Sequence, residues 1–441
     1  MLQKLVRHRL VQDVMVLYGV QVAGYVLPIV TLPYLTRVLG PANFGLLALG
    51  SAMAQYFLVV SEYGFAVTGT RRIAVIQEDM GKVARVYSAI MACKLLLIVL
   101  GFLALCGTLL AVPKLRLHWE LYILSFLLVV GWGLSPNWFF QGIQRIKFVA
   151  YSDYGAKIIS VGLIFLLVRK SSDYLIATAV QYGAFVVSAC IGLAVTFLVI
   201  RLRPVWPRWS DMRESMVEGW PVFLSMASMT FTSSSNTMIL GMVATSDQVG
   251  YLNGAARLVI AARTLVNPIM NAVYPHMSQL AAKSRAKGVR FLERQLLWTS
   301  VPFLAISVGM LTTAPFAIRL LYGPKYAESA VVLQLMSPIP FMYSIGTCFG
   351  AYYMLAFGHE KEWSKIIRRY TVLNFVCVFA LMTVMRPVRA IAVTTSVTDT
   401  FAAVSCALFY WRNEARGKSL ARAGAAWSRL PDWLKRRQPP R

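Results

Sequence analysis

The chain has 441 residues, of which 58% are hydrophobic and 14% are charged, and its formal net charge is +26. Because soluble domains carry about 25% charged residues, this composition excludes an ordinary water-soluble domain. An excess of Lys and Arg is typical of the cytoplasmic loops of membrane proteins. Since no nucleic-acid-binding motif accompanies it, we expect no nucleic-acid partner.

Apolar segments of about 20 residues recur along the whole sequence, which is the length that crosses a hydrocarbon layer of about 30 Å. In lipid each segment must be a helix, because its backbone groups have no water to bond. The sequence therefore predicts an all-α integral membrane protein with about twelve transmembrane helices. In chain order the predicted spans are 13–39, 43–68, 86–112, 119–141, 150–168, 174–200, 219–242, 250–275, 296–320, 330–356, 369–386 and 389–411.

Basic residues alternate between the loops on the two sides of the predicted bundle. One set of loops, with the tail, carries roughly four times as many Lys and Arg as the other, which predicts cytoplasmic N- and C-termini. We therefore expect a multi-pass protein of the cell inner (cytoplasmic) membrane. The basic N-terminus precedes a long apolar segment without an A-x-A-like cleavage site, which favours a retained first helix over a removed signal peptide.

A longer inner linker at 201–218 divides the predicted helices into two halves. Residues 44–46 (FGL) and 249–251 (VGY) are weakly similar and follow the first helix and the seventh helix. Parallel six-helix halves are a recurrent transporter plan. We predict two pseudo-symmetric six-helix lobes around a central cavity, at 1–205 and 206–411, and a basic cytoplasmic tail at 412–441.

Signatures of soluble enzymes are absent from the sequence. It contains no P-loop, no His-Glu-x-x-His and no Gly-x-Ser-x-Gly motif. The six cysteines lie in apolar segments without metal-ligand spacing. We therefore predict a transporter with no catalytic residues, no bound metal and no cofactor.

Charged side chains inside the spans indicate a functional or structural role, because each costs about 2.5–3.5 kcal/mol at mid-bilayer. Arg257 and Arg263 share the predicted eighth helix with Asn253, Asn267 and Asn271, and this helix is too polar to face lipid. The predicted substrate-binding residues of a cationic cavity are Arg37, Lys94, Lys157, Asn253, Arg257, Arg263 and Asn267. The candidates for coupling transport to H+ or Na+ are Glu62, Asp153 and Asp399.

Structural roles stay open for several of these residues. Arg37 and Lys94 can extend to the membrane surface. Asp153 and Lys157 are four residues apart and can neutralise each other on one helix. Glu62 and Asp399 can each form a buried pair with a cation instead of binding a transported ion.

The predicted seventh helix adds a run of hydroxyl side chains at 225–237. Arginines suit phosphate, because they offer bidentate hydrogen bonds. Hydroxyl and amide groups suit sugars, and apolar walls suit a lipid tail. Together these features favour a phosphate-bearing lipid with a sugar head, although composition leaves other anions open.

Several motifs resemble one family of membrane transporters. In sequence order they are PYLTRVLGPANFG at 33–45, EYGF at 62–65, GTRRIA at 69–74, WFFQG at 138–142, VGY at 249–251 with AAR at 255–257, YPHMS at 274–278 and LYGPKY at 321–326. Their order and spacing resemble those of bacterial polysaccharide flippases of the O-antigen (Wzx) type. These flippases belong to the multidrug/oligosaccharidyl-lipid/polysaccharide exporter superfamily.

The resemblance implies a flippase with a cationic central cavity that moves undecaprenyl-pyrophosphate-linked oligosaccharides by alternating access for O-antigen or exopolysaccharide assembly. It implies a lipid-linked oligosaccharide substrate, contact with membrane lipids and other polysaccharide-assembly proteins as partners. Among the candidate residues, Arg37, Glu62 and Arg257 lie inside matching motifs.

Two other functions remain alternatives. A cation-coupled drug or metabolite antiporter of the same superfamily would have an acidic cavity, whereas the spans here carry more cations than carboxylates. A membrane polysaccharide polymerase or ligase would need a large outer loop, and the predicted outer loops are short.

Overall fold

A computed structural model describes the backbone of residues 2–145 and 147–428 and the side chains of residues 30–145, 153, 155–271 and 273–414. The first part of the predicted span 13–39 and the end of the predicted tail 412–441 lie outside the described side chains. The described backbone is helical apart from turns and the linker 201–208, and it has no β-strand. This confirms the predicted all-α class.

Within the described residues, seven segments are long and apolar enough to cross a membrane, so the chain is a multi-pass membrane protein. A shorter apolar helix lies at Gly155–Leu167, and the total of twelve spans stays a prediction. The seven segments are Val30–Ile76, Met80–Ala111, Trp119–Gly142, Ser171–Val199, Arg285–Tyr322, Pro324–Leu355 and Pro387–Glu414.

The helices of the first half are α1 (Leu2–Glu62), α2 (Phe65–Ile76), α3 (Met80–Ala111), α4 (Pro113–Arg116), α5 (Trp119–Ser125), α6 (Leu127–Leu134), α7 (Asn137–Gly142), α8 (Lys147–Leu167) and α9 (Tyr174–Ala194). Those of the second half are α10 (Trp209–Val243), α11 (Ser246–Thr264), α12 (Val266–Lys283), α13 (Arg285–Tyr322), α14 (Ala327–Met336), α15 (Ile339–Gly346), α16 (Glu360–Met382) and α17 (Pro387–Ser428). Two 3-10 turns, Ser171–Asp173 and Pro324–Tyr326, and two π-helical segments, Val195–Val199 and Thr347–Leu355, complete the order.

Two backbone breaks set the length of the first helices. Gly40 has φ +72° and interrupts α1, where the sequence predicts the loop between its first two spans. Tyr63 and Gly64 have φ of +44° and +80°, and α2 starts directly after them. A side chain other than that of glycine would be strained at both glycine positions.

Contacts group the chain into two compact units. One unit comprises Met1–Gly254 with Phe316–Ser329, and the other comprises Ala255–Pro315 with Ala330–Arg441. The predicted lobe boundaries, 1–205 and 206–411 with a tail at 412–441, concern an internal repeat and stay a prediction.

The first unit is built around buried aromatic side chains of α2, α3 and α7, including Phe65, Tyr87 and Phe139. The two glycines that the sequence aligns as a repeat lie at one crossing of α1 and α11. A Cβ on Gly45 would lie 1.9 Å from the Ser246 carbonyl oxygen, and a Cβ on Gly250 would lie 2.0 Å from the Pro41 carbonyl oxygen. These glycines therefore permit close backbone approach of the two helices.

Asp79 separates α2 from α3 and caps the latter. Its carboxylate accepts hydrogen bonds from the backbone N–H groups of Gly81 (3.1 Å) and Lys82 (3.0 Å). The hydrogen bond from the Lys82 backbone N–H lowers the pKa of the Asp79 carboxyl most, and the Lys82 ammonium lowers it further. This cap starts α3 immediately after the α2 turn.

The second unit has its own core, which surrounds the π-helical segment Thr347–Leu355. Its buried members include Cys348, Tyr352 and Leu292. At one edge of this core, Glu414 accepts hydrogen bonds from the Tyr353 hydroxyl (2.9 Å) and from Arg285 (2.9 Å). This polar cluster ties α13 and α17 to the π-helical segment.

Candidate functional site

The predicted site residues are divided between the two units. Arg37, Lys94, Lys157 and Asn253 belong to the first unit, with the candidate coupling residues Glu62 and Asp153. Arg257, Arg263, Asn267 and Asp399 belong to the second. Each unit contains a cation–carboxylate pair among these residues, and the central cavity that would join them stays a prediction.

The pair in the second unit joins α11 to α17. Arg263 Nη1 lies 3.4 Å from Asp399 Oδ2, and the guanidinium carbon lies 4.1 Å from the centre of the Tyr343 ring. The Tyr370 hydroxyl bonds the same carboxylate. The Asp399 side chain is 9% exposed and that of Arg263 is 32% exposed. Arg263 therefore holds a buried carboxylate through one donor and keeps other N–H groups for a second acceptor.

The other polar residues of the predicted eighth helix lie on two shorter helices. The chain breaks between α11 and α12 at Leu265. Arg257 is exposed on α11, and no described side chain of its own unit accepts a hydrogen bond from it. Asn267 is half-buried in the first turn of α12. Asn253 donates to the Val249 carbonyl at 3.0 Å, which leaves its amide oxygen as an acceptor.

The pair in the first unit joins α1 to α3. Lys94 Nζ lies 2.8 Å from Glu62 Oε1, and the two side chains are 1% and 12% exposed. Glu62 is the last residue of α1, directly before the left-handed Tyr63. The pair thus fixes the end of α1 against the interior of α3.

Asp153 and Lys157 lie on α8 and contact α9. The Asp153 carboxylate accepts hydrogen bonds from the Ser188 hydroxyl and from Asn137 Nδ2, the latter at 3.3 Å. The Lys157 ammonium lies 5.7 Å from the centre of the Phe185 ring. Both side chains therefore have partners on neighbouring helices.

Arg37 contacts the end of α13. Its Nε donates to the Leu321 carbonyl at 2.9 Å, and its Nη2 donates to the Leu320 carbonyl. A cation at this position satisfies carbonyls that the helix end leaves without partners. This geometry gives Arg37 a capping contact within the first unit.

The hydroxyls of α10 bond mainly to their own helix. Ser225, Ser228 and Thr232 each donate to the carbonyl one turn earlier, at 3.1, 2.8 and 2.9 Å. Tyr56 of α1 shares a hydrogen bond of 2.8 Å with Ser235. Ser225 and Ser228 are exposed, so their oxygens remain available as acceptors.

One charged cluster was missed by the sequence interpretation. Arg71 and Arg72 at the end of α2 form ion pairs with Glu214 and Glu218 in the first turns of α10. The signal was the spacing of Asp211, Glu214 and Glu218, which places three carboxylates on one helix face.

Comparison with known proteins places the chain in a family. Residues 10–281 match the family described as "Polysaccharide biosynthesis protein". A protein of Escherichia coli (strain K12) named "Putative O-antigen transporter" is 32% identical over 403 residues, which cover 91% of this chain and 96% of that protein. The chain belongs to the polysaccharide biosynthesis protein family. This membership confirms the resemblance found in the sequence motifs.

Two solved structures share the fold of this polysaccharide biosynthesis protein. The lipid II flippase MurJ, in an inward closed conformation, matches with a TM-score of 0.68 over 90% of this chain and 87% of that chain, at 14% identity. An inward-facing multidrug resistance transporter of the MATE family, in the MOP superfamily, matches with a TM-score of 0.67 over 89% and 96%, also at 14% identity. At such identity the likeness concerns the fold alone, and it confirms the predicted transporter fold.

Proposed function

We propose that this protein is a flippase that moves undecaprenyl-pyrophosphate-linked oligosaccharide units across the cytoplasmic membrane by alternating access, for O-antigen or exopolysaccharide assembly. The observation that carries the proposal is the near full-length similarity to an E. coli protein named as an O-antigen transporter. A fold shared with a lipid II flippase supports it. The function is transport rather than catalysis.

A drug or metabolite antiporter is the weaker candidate. The MATE transporter is similar in fold at 14% identity, whereas the E. coli relative is similar in sequence over 91% of the chain. The exposed charge of α11, Arg257, is also cationic, which suits an anionic substrate better than a cationic drug.

Arg263 is the proposed anion ligand, with Arg257 on the same helix as its partner. The single contact between Arg263 and Asp399 leaves guanidinium donors for a pyrophosphate, and Arg257 is exposed without an acceptor in its unit. Arginine binds phosphate oxygens bidentately. Asn267, in the first turn of α12 in the same unit, is a proposed sugar contact.

Coupling to H+ or Na+ is proposed at a membrane carboxylate, and no other cofactor is needed. Asp399 is the preferred candidate, because its cation is held at 3.4 Å and is itself a proposed substrate ligand. Glu62 and Asp153 are alternatives with closer or more numerous partners. The membrane potential can also contribute, since one charge that crosses 100 mV gains about 2.3 kcal/mol.

The proposed location is the inner membrane, with both termini in the cytoplasm, where the positive-inside rule places the more basic loops. The proposed partners are the lipid-linked oligosaccharide, the surrounding membrane lipids and other polysaccharide-assembly proteins.

The test is a translocation assay with lipid-linked oligosaccharide in proteoliposomes. We expect Arg257→Ala/Arg263→Ala to lose most transport, because the anion loses both proposed ligands. The matched control is Arg290→Ala/Arg319→Ala, which removes two exposed cations from α13. Full transport by the first variant would refute the anion site.

A second experiment separates the functional classes in cells. Deletion of a flippase gene removes all surface polymer, whereas deletion of a polymerase leaves single-unit caps. Drug sensitivity of the deletion strain with intact polymer would instead favour the antiporter.

A further inference from the structure

A cavity of about 520 Å³ lies in the first unit, between the end of α2 and the first turns of α3 and α10. Four cations and three carboxylates line it, together with an apolar wall that includes Val75, Ile76 and Val86. None of these residues belongs to the proposed transport site. The cavity therefore needs its own explanation.

Most of its charges are paired, either with each other or, for Lys82, with the neighbouring Asp79. Arg71 pairs with Glu218, and Arg72 lies 3.2 Å from Glu214 and 3.7 Å from Glu218. Lys82 pairs at 3.2 Å with Asp79. These pairs hold α2 against α10 and keep the walls of the cavity in place.

Two groups of opposite charge are left over. Arg85 is exposed, and no described residue accepts a hydrogen bond or ion pair from it. Asp211 Oδ2 is buried and has no donor among the described residues, while its Oδ1 is within 3.4 Å of the Ser210 hydroxyl. Buried polar atoms are rarely without partners. An unpaired cation and an unpaired carboxylate therefore line the same cavity. Together they fit a ligand that carries one negative and one positive group.

The neighbouring linker indicates the depth of this cavity in the membrane. Leu202 is buried in the core, and the Val205 N–H donates to Ser88 Oγ at 3.0 Å, so the linker is fixed against α3. On this fixed segment Trp206 is 93% exposed, and Trp209, at the start of α10, is 70% exposed. Tryptophan is enriched at the level of lipid headgroups. Asp211 follows Trp209 by two residues, which puts the cavity at headgroup level.

We propose that this cavity binds the headgroup of a bilayer phospholipid that has both a phosphate and a primary ammonium group, as phosphatidylethanolamine does. The phosphate bonds Arg85, the ammonium donates to the Asp211 carboxylate, and the start of the acyl chains lies along Val75, Ile76 and Val86. This lipid is a structural ligand and is distinct from the transported substrate, so the site does not depend on the proposed transport function.

The test is lipid competition on the purified full-length protein. The protein is placed in mixed micelles with equal amounts of phosphatidylethanolamine, phosphatidylcholine and phosphatidylglycerol of identical acyl chains, and retained lipid is identified by native mass spectrometry. We expect phosphatidylethanolamine to be retained about tenfold over phosphatidylcholine, the factor that corresponds to about 1.4 kcal/mol, because the choline group has no N–H donor.

Two variants test the ammonium contact and the phosphate contact separately. Asp211→Asn should bring that ratio close to one while retention of phosphatidylglycerol persists, and Arg85→Gln should lower retention of all three lipids. Arg116→Gln and Glu120→Gln are matched controls at exposed positions outside the cavity. Equal retention of the three lipids by the unmodified protein, or an unchanged ratio in Asp211→Asn, would overturn the proposal. Preference for phosphatidylglycerol in every variant would overturn it as well, in favour of a simple anion site.

Discussion

The Lys94–Glu62 pair and the Arg263–Asp399 pair each join a cation to a carboxylate, but they differ in burial and in distance. In the first unit, an almost fully buried ammonium lies 2.8 Å from its carboxylate. In the second, a guanidinium that is about one-third exposed lies 3.4 Å from a buried carboxylate and also covers the Tyr343 ring. Each pair connects two helices of its own unit, α1 with α3 and α11 with α17.

The two cations differ in how many hydrogen-bond donors remain available for another acceptor. Lys94 is a compact charge that is enclosed with its partner, and breaking such a pair leaves an unpaired charge out of water. Arg263 presents five N–H donors in a planar fork and uses few of them on Asp399. Burial therefore favours a folding role for the first pair, while exposure favours the proposed substrate contact for the second.

The largest expected effect is on stability and comes from Lys94→Met. The substitution leaves the largely buried Glu62 carboxylate without its cation, which costs about 3–5 kcal/mol. We expect a strong decrease in the unfolding temperature of the detergent-solubilised protein.

The double variant Lys94→Met/Glu62→Leu is the control for this prediction. It removes both charges, and a buried pair that is replaced by apolar residues is often neutral for stability. Recovery in the double variant would support a folding role for the pair. A stable Lys94→Met variant that has lost transport would instead favour Glu62 as a coupling residue.

The sequence predicts only part of this comparison. Hydropathy predicted the all-α class, and the gap between the predicted spans 13–39 and 43–68 contains Gly40, where the structure interrupts α1. The intramembrane charges were recognised by their cost in lipid. Their partners were not, because Glu62 and Lys94 are 32 residues apart and Arg263 and Asp399 are 136 apart, and local periodicity carries no information about such pairs.

Other features depend on backbone geometry that the sequence leaves ambiguous. The predicted helix 250–275 is divided at Leu265, and the single predicted span overlooked Pro268, whose missing N–H is suited to the first turn of α12. Gly45 and Gly250 align as a weak repeat in the sequence, whereas in the structure both lie inside helices and allow α1 and α11 to approach closely. A glycine can serve a turn or a close contact equally well, and only tertiary structure separates the two uses.

An intermediate effect is expected on transport from Asp399→Asn. Loss of the carboxylate frees Arg263, so we expect the concentration of lipid-linked substrate at half-maximal rate to fall by about tenfold, within the usual range of coupling between sites. The maximal rate should fall as well, since the proposed coupling group is absent. Kinetics in proteoliposomes with and without an ion gradient measure both changes.

Asp399→Glu is the matched control for this variant, because it keeps the charge on a longer side chain. We expect it to retain gradient dependence that Asp399→Asn loses. Unchanged kinetics and gradient dependence in Asp399→Asn would mean that the open pair of the second unit is as structural as the closed pair of the first.

The smallest effect is expected from Arg37→Gln, and it extends the comparison to a cation whose acceptors are carbonyls instead of a carboxylate. Arg37 bonds the end of α13, and a cation at a helix C-terminus contributes about 0.3–1 kcal/mol. We therefore expect a small decrease in unfolding temperature, measured beside Arg37→Lys, which keeps the charge but loses the planar fork. Weaker binding of lipid-linked substrate at unchanged stability would place Arg37 with Arg263 among the substrate ligands, because a cap acts on the helix end and has no direct contact with the anion.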